Sequence, residues 1–248
     1  MLVVGLTGGI ASGKSTVSRL LSSKHQFPVI DADVLARKVV KPGTPAHAKI
    51  VQYFGTSVLI QDGSQQLDRK RLGDVIFRDE QKRKVLNGIV HPAVRWAMLR
   101  AVVGCWLRGE SVCILDIPLL IETKLWKMVG WVVLVYCSKE IQLRRLMDRD
   151  GIPVSAAQDR IASQMLLSDK VEYADRIIDN SSGLVELERQ VGELVASLRA
   201  KAGWSWRLSW LFPPWGLVLA LWKLSLRALV RHVSGSGTVN GQKERSKL

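Results

Sequence analysis

Gly8-Gly9-Ile10-Ala11-Ser12-Gly13-Lys14-Ser15-Thr16 holds the densest concentration of usable chemistry in this 248-residue chain. The stretch satisfies the spacing GxxxxGK[ST], a loop whose backbone N–H groups surround the β-phosphate of a nucleotide. Gly8 and Gly13 give the backbone the freedom to approach phosphate oxygens closely. Lys14 reaches toward the β- and γ-phosphates, and the Ser15 hydroxyl is a ligand for Mg²⁺. A helix starting at this point turns its positive end toward the same phosphates. The flanking residues separate this reading from a chance glycine-rich turn. Leu2-Val3-Val4-Gly5-Leu6 is an apolar run of strand length, and Thr16-Val17-Ser18-Arg19-Leu20-Leu21 resumes helical spacing. The sequence therefore predicts a bound nucleoside triphosphate.

Further reactive side chains follow at the ends of apolar runs. Phe27-Pro28-Val29-Ile30 leads into Asp31-Ala32-Asp33. Asp33 can accept a proton from an attacking hydroxyl, or Asp31 or Asp33 can cap the next helix. Ser111 to Asp116 is a buried-strand pattern closing on an acid, so Asp116 either holds Mg²⁺ or serves only as a cap. Glu122 is either a solvated loop carboxylate or a substrate contact. Arg144, Arg145 and Arg149 suit a lid that closes over transferring phosphates, against a solvated helix face with Arg144 paired to Asp148. Arg160 and Gln164, one turn apart, are expected to face one way on a second lid helix. His91 precedes Pro92 and reads as a cap or surface group opening a helix over 93–107.

Positioning such groups calls for alternating strands and helices, hence an α/β fold with a parallel sheet helix-covered on both faces. Five strands are expected, the later ones at Trp131–Tyr136 and Asp175–Asn180, with a last helix over Leu184–Leu198. Residues 41–110 read as a helical insertion and 140–170 as a lid. Asp68 has the position of a helix cap within the insertion.

The net charge of +14 is unevenly distributed. Residues 201–248 hold eight Lys/Arg against one acid, together with five of the nine tryptophans. The milder excess over residues 1–200 suits small polyanionic substrates and argues against a nucleic-acid partner. Cys105, Cys113 and Cys137 lack metal-ligand spacing and fit buried thiols in a reducing, intracellular compartment. No secretory signal precedes Leu2. The basic, Trp-rich stretch 201–233, broken at Pro213-Pro214, carries an expected helix over Leu217–Val233. Its composition over 204–233 suits peripheral membrane contact. Residues 234–248 read as a flexible end closing on Ser246-Lys247-Leu248, a peroxisomal address when exposed. Cytoplasmic and peroxisomal placement both stay open.

Read jointly, these stretches resemble the dephospho-coenzyme A kinase family. The resemblance rests on GLTGGIASGKS at 5–15, DADVLAR at 31–37, HP at 91–92, DIPLLIE at 116–122, RRLMDRDG at 144–151, RIASQ at 160–164 and ADRIIDN at 174–180. It covers about residues 1–200, with Ile121 standing where the family usually has an aromatic. It implies the P-loop NTPase fold of nucleotide-kinase type, with a helical acceptor domain and a lid. It also implies transfer of the ATP γ-phosphate to the 3′-hydroxyl of dephospho-coenzyme A. Asp33 then matches the family's base, Lys14 and Ser15 its phosphate and Mg²⁺ contacts, and Arg145 and Arg149 its lid arginines. His91, Glu122 and Arg160 complete the candidate substrate contacts. Competing readings are another P-loop small-molecule or nucleotide kinase, and a catalytically silent nucleotide-binding membrane adaptor. A silent protein would be expected to have lost part of this set.

Overall fold

β-Branched and leucine-rich runs separated by helical periods fold here into a five-stranded parallel sheet, as expected from the sequence. The computed structural model describes residues 1–77, 79–202, 222 and 225. The stretch 204–233 expected to contact a membrane, the helix expected over 217–233 and the end expected to be flexible over 234–248 lie outside the described residues, apart from Trp222 and Ser225. No helix among the described residues is long and apolar enough to cross a membrane.

The chain divides into two compact units, residues 1–29 with 108 onward, and residues 30–107. The first unit carries β1 (Leu2–Gly8), β3 (Val112–Asp116), β4 (Trp131–Tyr136) and β5 (Arg176–Asp179). With β2 (Val29–Asp31) the sheet order is β2-β3-β1-β4-β5. Leu6 pairs with Asp116 on one side and Val133 on the other, and Val135 with Ile178. That register sets the carboxyl ends of the strands side by side, where α/β proteins bind ligands.

The side-chain period of two divides the strand residues between two faces. Val4, Leu6, Ile114, Val133, Val135 and Ile178 pack against α1 (Lys14–Arg19) and α9 (Leu184–Ala202). On the other side, Leu134 and Cys137 pack with Leu167 of α8 (Leu167–Lys170). Helix α9 extends past the expected Leu198 because Ala202 is still buried in the core. Cys105, Cys113 and Cys137 are all buried and outside any disulfide among the described residues, and burial pushes the Cys137 thiol up from its ordinary value.

The second unit contains α2 (Ala32–Lys38), α3 (Pro45–Phe54), α4 (Arg69–Phe77) and α5 (Glu80–Leu107) around Ile50, Val58, Leu72 and Leu86. The insertion expected over 41–110 corresponds to this unit of 30–107, which also takes in α2 and with it Asp33. Asp68 Oδ1 accepts from Lys70 and Arg71 N–H at the start of α4, as a cap does. One expectation is corrected. His91-Pro92 does not open a helix; both lie inside the 28-residue α5. Pro92 is exposed, while Leu86 before it and Met98 and Cys105 after it are buried. Packing on both sides of the proline outweighs the one backbone hydrogen bond it removes.

Candidate functional site

The phosphate loop leaves β1 at Gly8 and enters α1 at Lys14, and its glycines are required by contact. A Cβ on Gly8 would lie 2.5 Å from Ser12 Oγ, and one on Gly9 would lie 2.7 Å from Gln142 Nε2. Gly13 has φ +90°, and a Cβ there would lie 2.0 Å from Asn180 Nδ2. Gly13→Ala therefore combines left-handed strain with a clash. It is expected to cost about 1–3 kcal/mol of stability and to abolish ATP binding, read by thermal unfolding and nucleotide titration.

Three amide side chains hold the loop from outside. Gln142, on α6 (Lys139–Asp150), donates from Nε2 to the Ile10 carbonyl at 2.8 Å. Ile10 N–H donates to Gln164 Oε1 at 3.0 Å, and Asn180 Nδ2 donates to the Ser12 carbonyl at 2.8 Å. Sequence reasoning missed Gln142 and Asn180 in this role. It also placed Gln164 wrongly. Helix α7 (Val154–Ala162), expected as a second lid helix, ends before Gln164, whose amide turns to the loop, while Arg160 pairs with Asp150 instead. The end of the helix at Ala162 separates the two side chains that were expected to share a face.

Lys14 Nζ contacts the Asp116 carboxylate, which is nearly fully buried at the end of β3. Ser15 follows in the first turn of α1, exposed, where backbone N–H groups have no intrahelical acceptor. A hydroxyl and a carboxylate beside this glycine cradle are hard oxygen donors of the kind Mg²⁺ takes together with substrate phosphates. Arg145 supplies a second indication of a polyanionic ligand. Its Nη1 is buried with no hydrogen-bond partner among the described residues, and lies 4.0 Å from the Cβ position on Gly13. A buried guanidinium donor without a partner costs free energy unless an anion completes it.

Arg149 sits in a different setting. Its Nε and Nη2 donate to Asp150 at 2.8 and 3.3 Å, and Asp150 also takes Arg160. The Arg149 hydrogen bond holds the Asp150 carboxyl below its ordinary value and raises Arg149 in return. Glu122 forms an ion pair at 2.8 Å with the fully buried Lys170, a partner neither of its sequence readings contained.

In the second unit, Asp31 resolves the capping question. Its Oδ1 accepts from Asp33 and Val34 N–H at 2.8 and 3.0 Å, which leaves the Asp33 carboxylate exposed in the first turn of α2. Asp33 lines a cavity of about 610 Å³ together with Arg37, Lys41 and Arg69, over an apolar floor that includes Ile50 and Leu86. His91 is exposed on α5 and does not line this cavity.

A family model described as dephospho-CoA kinase matches residues 2–186. The dephospho-CoA kinase of Shouchella clausii is 53% identical over 193 residues, spanning 78% of this chain and 96% of its own length. That of Saccharomyces cerevisiae is 42% identical over 227 residues, spanning 89% and 91%. Among solved structures, a Thermus thermophilus protein superposes with a TM-score of 0.67 at 29% identity, covering 79% of this chain and 97% of that one. The dephospho-CoA kinase from Campylobacter jejuni superposes with a TM-score of 0.56 at 27% identity, covering 79% and 96%. By family model and by identity over most of its length, this chain belongs to the dephospho-CoA kinase family.

Proposed function

We propose that this chain transfers the γ-phosphate of ATP to the 3′-hydroxyl of dephospho-coenzyme A, giving coenzyme A and ADP, the last step of coenzyme A synthesis. Family membership carries the acceptor assignment, and the intact donor set of Lys14, Ser15, Asp116 and Arg145 argues against a silent adaptor. The exposed Asp33 carboxylate takes the proton of the attacking hydroxyl. Lys14 and Arg145 neutralise charge on the phosphoryl oxygens, and the loop holds the triphosphate for in-line attack. Ser15 and Asp116 are the residues that would hold Mg²⁺, which when bound neutralises charge across the β- and γ-phosphates. Around Asp33, the cations Arg37, Lys41 and Arg69 suit the acceptor's phosphates, and the apolar floor suits its pantetheine arm. Outside this chemistry, we read the basic Trp-rich stretch 204–233 as peripheral membrane contact and Ser246-Lys247-Leu248 as a peroxisomal address.

The direct test measures ADP release by the full chain with ATP, Mg²⁺ and a panel of hydroxyl acceptors. Turnover with dephospho-coenzyme A is expected to exceed that with nucleosides, nucleotides or small hydroxy acids by orders of magnitude. A preference for any other acceptor would overturn the assignment, and no turnover with any of them would favour the adaptor.

A further inference from the structure

We propose that Gln164 and Gln142 clamp the two successive peptides that flank the Ile10 Cα, Gly9–Ile10 through its N–H and Ile10–Ala11 through its carbonyl, and so set the phosphate loop for transfer; they are positioning residues, and the proposal rests on the kinase reading above. The chemistry of the peptide dictates opposite roles for the two amides. The Ile10 carbonyl can only accept, so Gln142 presents its NH₂; the Ile10 N–H can only donate, so Gln164 presents its oxygen. Gln142 is buried, and Gly9 leaves no room for a side chain beside its amide. Both glutamines belong to the lid segments, one on α6 and one just past α7. The Ile10 and Ala11 side chains pack on those same helices, against Leu146, Ala157 and Ile161.

The consequence concerns the orientation of the Ile10–Ala11 peptide plane, which follows the Gly9–Ile10 plane through the Ile10 Cα. With its carbonyl held by Gln142, Ile10 keeps a partial negative charge directed at α6. Rotation of that peptide would free the oxygen to turn on phosphate oxygens of like charge. Releasing Gln142 frees that rotation directly, and releasing Gln164 frees the Gly9–Ile10 peptide joined to it at the Ile10 Cα. Because the two contacts act on adjacent peptides joined at the Ile10 Cα, their losses are coupled and together cost less than the sum of the two.

The experiment compares Gln142→Met, Gln164→Met, the double variant, Gln142→Glu and Gln164→Glu in the full chain. It reads kcat with dephospho-coenzyme A, ATP affinity by direct titration without acceptor, and the thermal midpoint. Each methionine variant keeps side-chain volume and is expected to lower kcat by about tenfold, with ATP affinity also reduced. The double variant is expected to fall by less than the product of the two single losses. Gln164→Glu can still accept from the Ile10 N–H and is expected to recover most of the loss seen in Gln164→Met. Gln142→Glu cannot donate and faces the carbonyl with like charge, so it is expected to be as impaired as Gln142→Met or worse. Parental kcat and ATP affinity in the methionine variants, whatever their thermal midpoint, would overturn the clamp. So would glutamate variants that behave alike. A parent chain inactive on dephospho-coenzyme A removes the acceptor assignment instead, and the clamp is then judged by the same ordering in ATP affinity.

Discussion

Replacing Asp33 with asparagine is expected to lower kcat by about 10²–10⁴-fold while leaving ATP affinity near that of the parent. The structure makes this substitution a clean one. Asp31, not Asp33, caps α2, so the exposed Asp33 side chain can lose its charge without removing a cap from the helix. Asparagine keeps the shape and the first-turn position but cannot take a proton from the attacking hydroxyl. ATP contacts are assigned to the loop and Lys14 and not to Asp33, so nucleotide titration should barely respond. Steady-state turnover and ATP titration together decide the matter. An Asp33→Asn protein with near-parental kcat would remove Asp33 from the role of base.

Arg145→Ala carries the second large effect, a loss in kcat on the order of 10³-fold, typical of removing a preorganised donor from a transferring charge. The stability expectation has the opposite sense from that for an ordinary buried arginine. Nη1 has no partner among the described residues, so truncation removes an uncompensated buried donor and should leave the thermal midpoint unchanged or raised. Activity lost without stability lost is the signature of a group held for a ligand. Arg145→Lys is expected to restore only part of the rate, because an ammonium lacks the planar fork that spans two phosphate oxygens. A kcat for Arg145→Ala within about threefold of the parent would contradict the assignment. Arg149, engaged by Asp150, is expected to matter less than Arg145, although the two stand one turn apart in the same motif.

The contrast between these two arginines shows where reading along the chain succeeds. The phosphate loop, Asp116 at a strand end and the parallel sheet were all legible, because each depends on local periodicity and on residue types with few alternative uses. The two aspartates at 31 and 33 were legible only as a pair; which one caps required the backbone of α2. Pro92 pointed to a helix start, and packing of Leu86 and Met98 on either side of it decided otherwise.

The sequence by itself thus determined the phosphate-loop pattern between Gly8 and Ser15, which acids and arginines are candidates beside it, and what family those motifs resemble. Tertiary structure alone decided that Gln142, Gln164 and Asn180 hold the loop, that Lys14 meets Asp116, and that Glu122 belongs to a buried lysine. The reason is separation along the chain. A loop's own conformation follows from glycines within a few residues, whereas its braces arrive from more than a hundred residues away. An amide has no periodicity that announces the peptide it will meet. Only the sheet register and the packing of α6 and α7 bring Ile10 and its two glutamines to the same place.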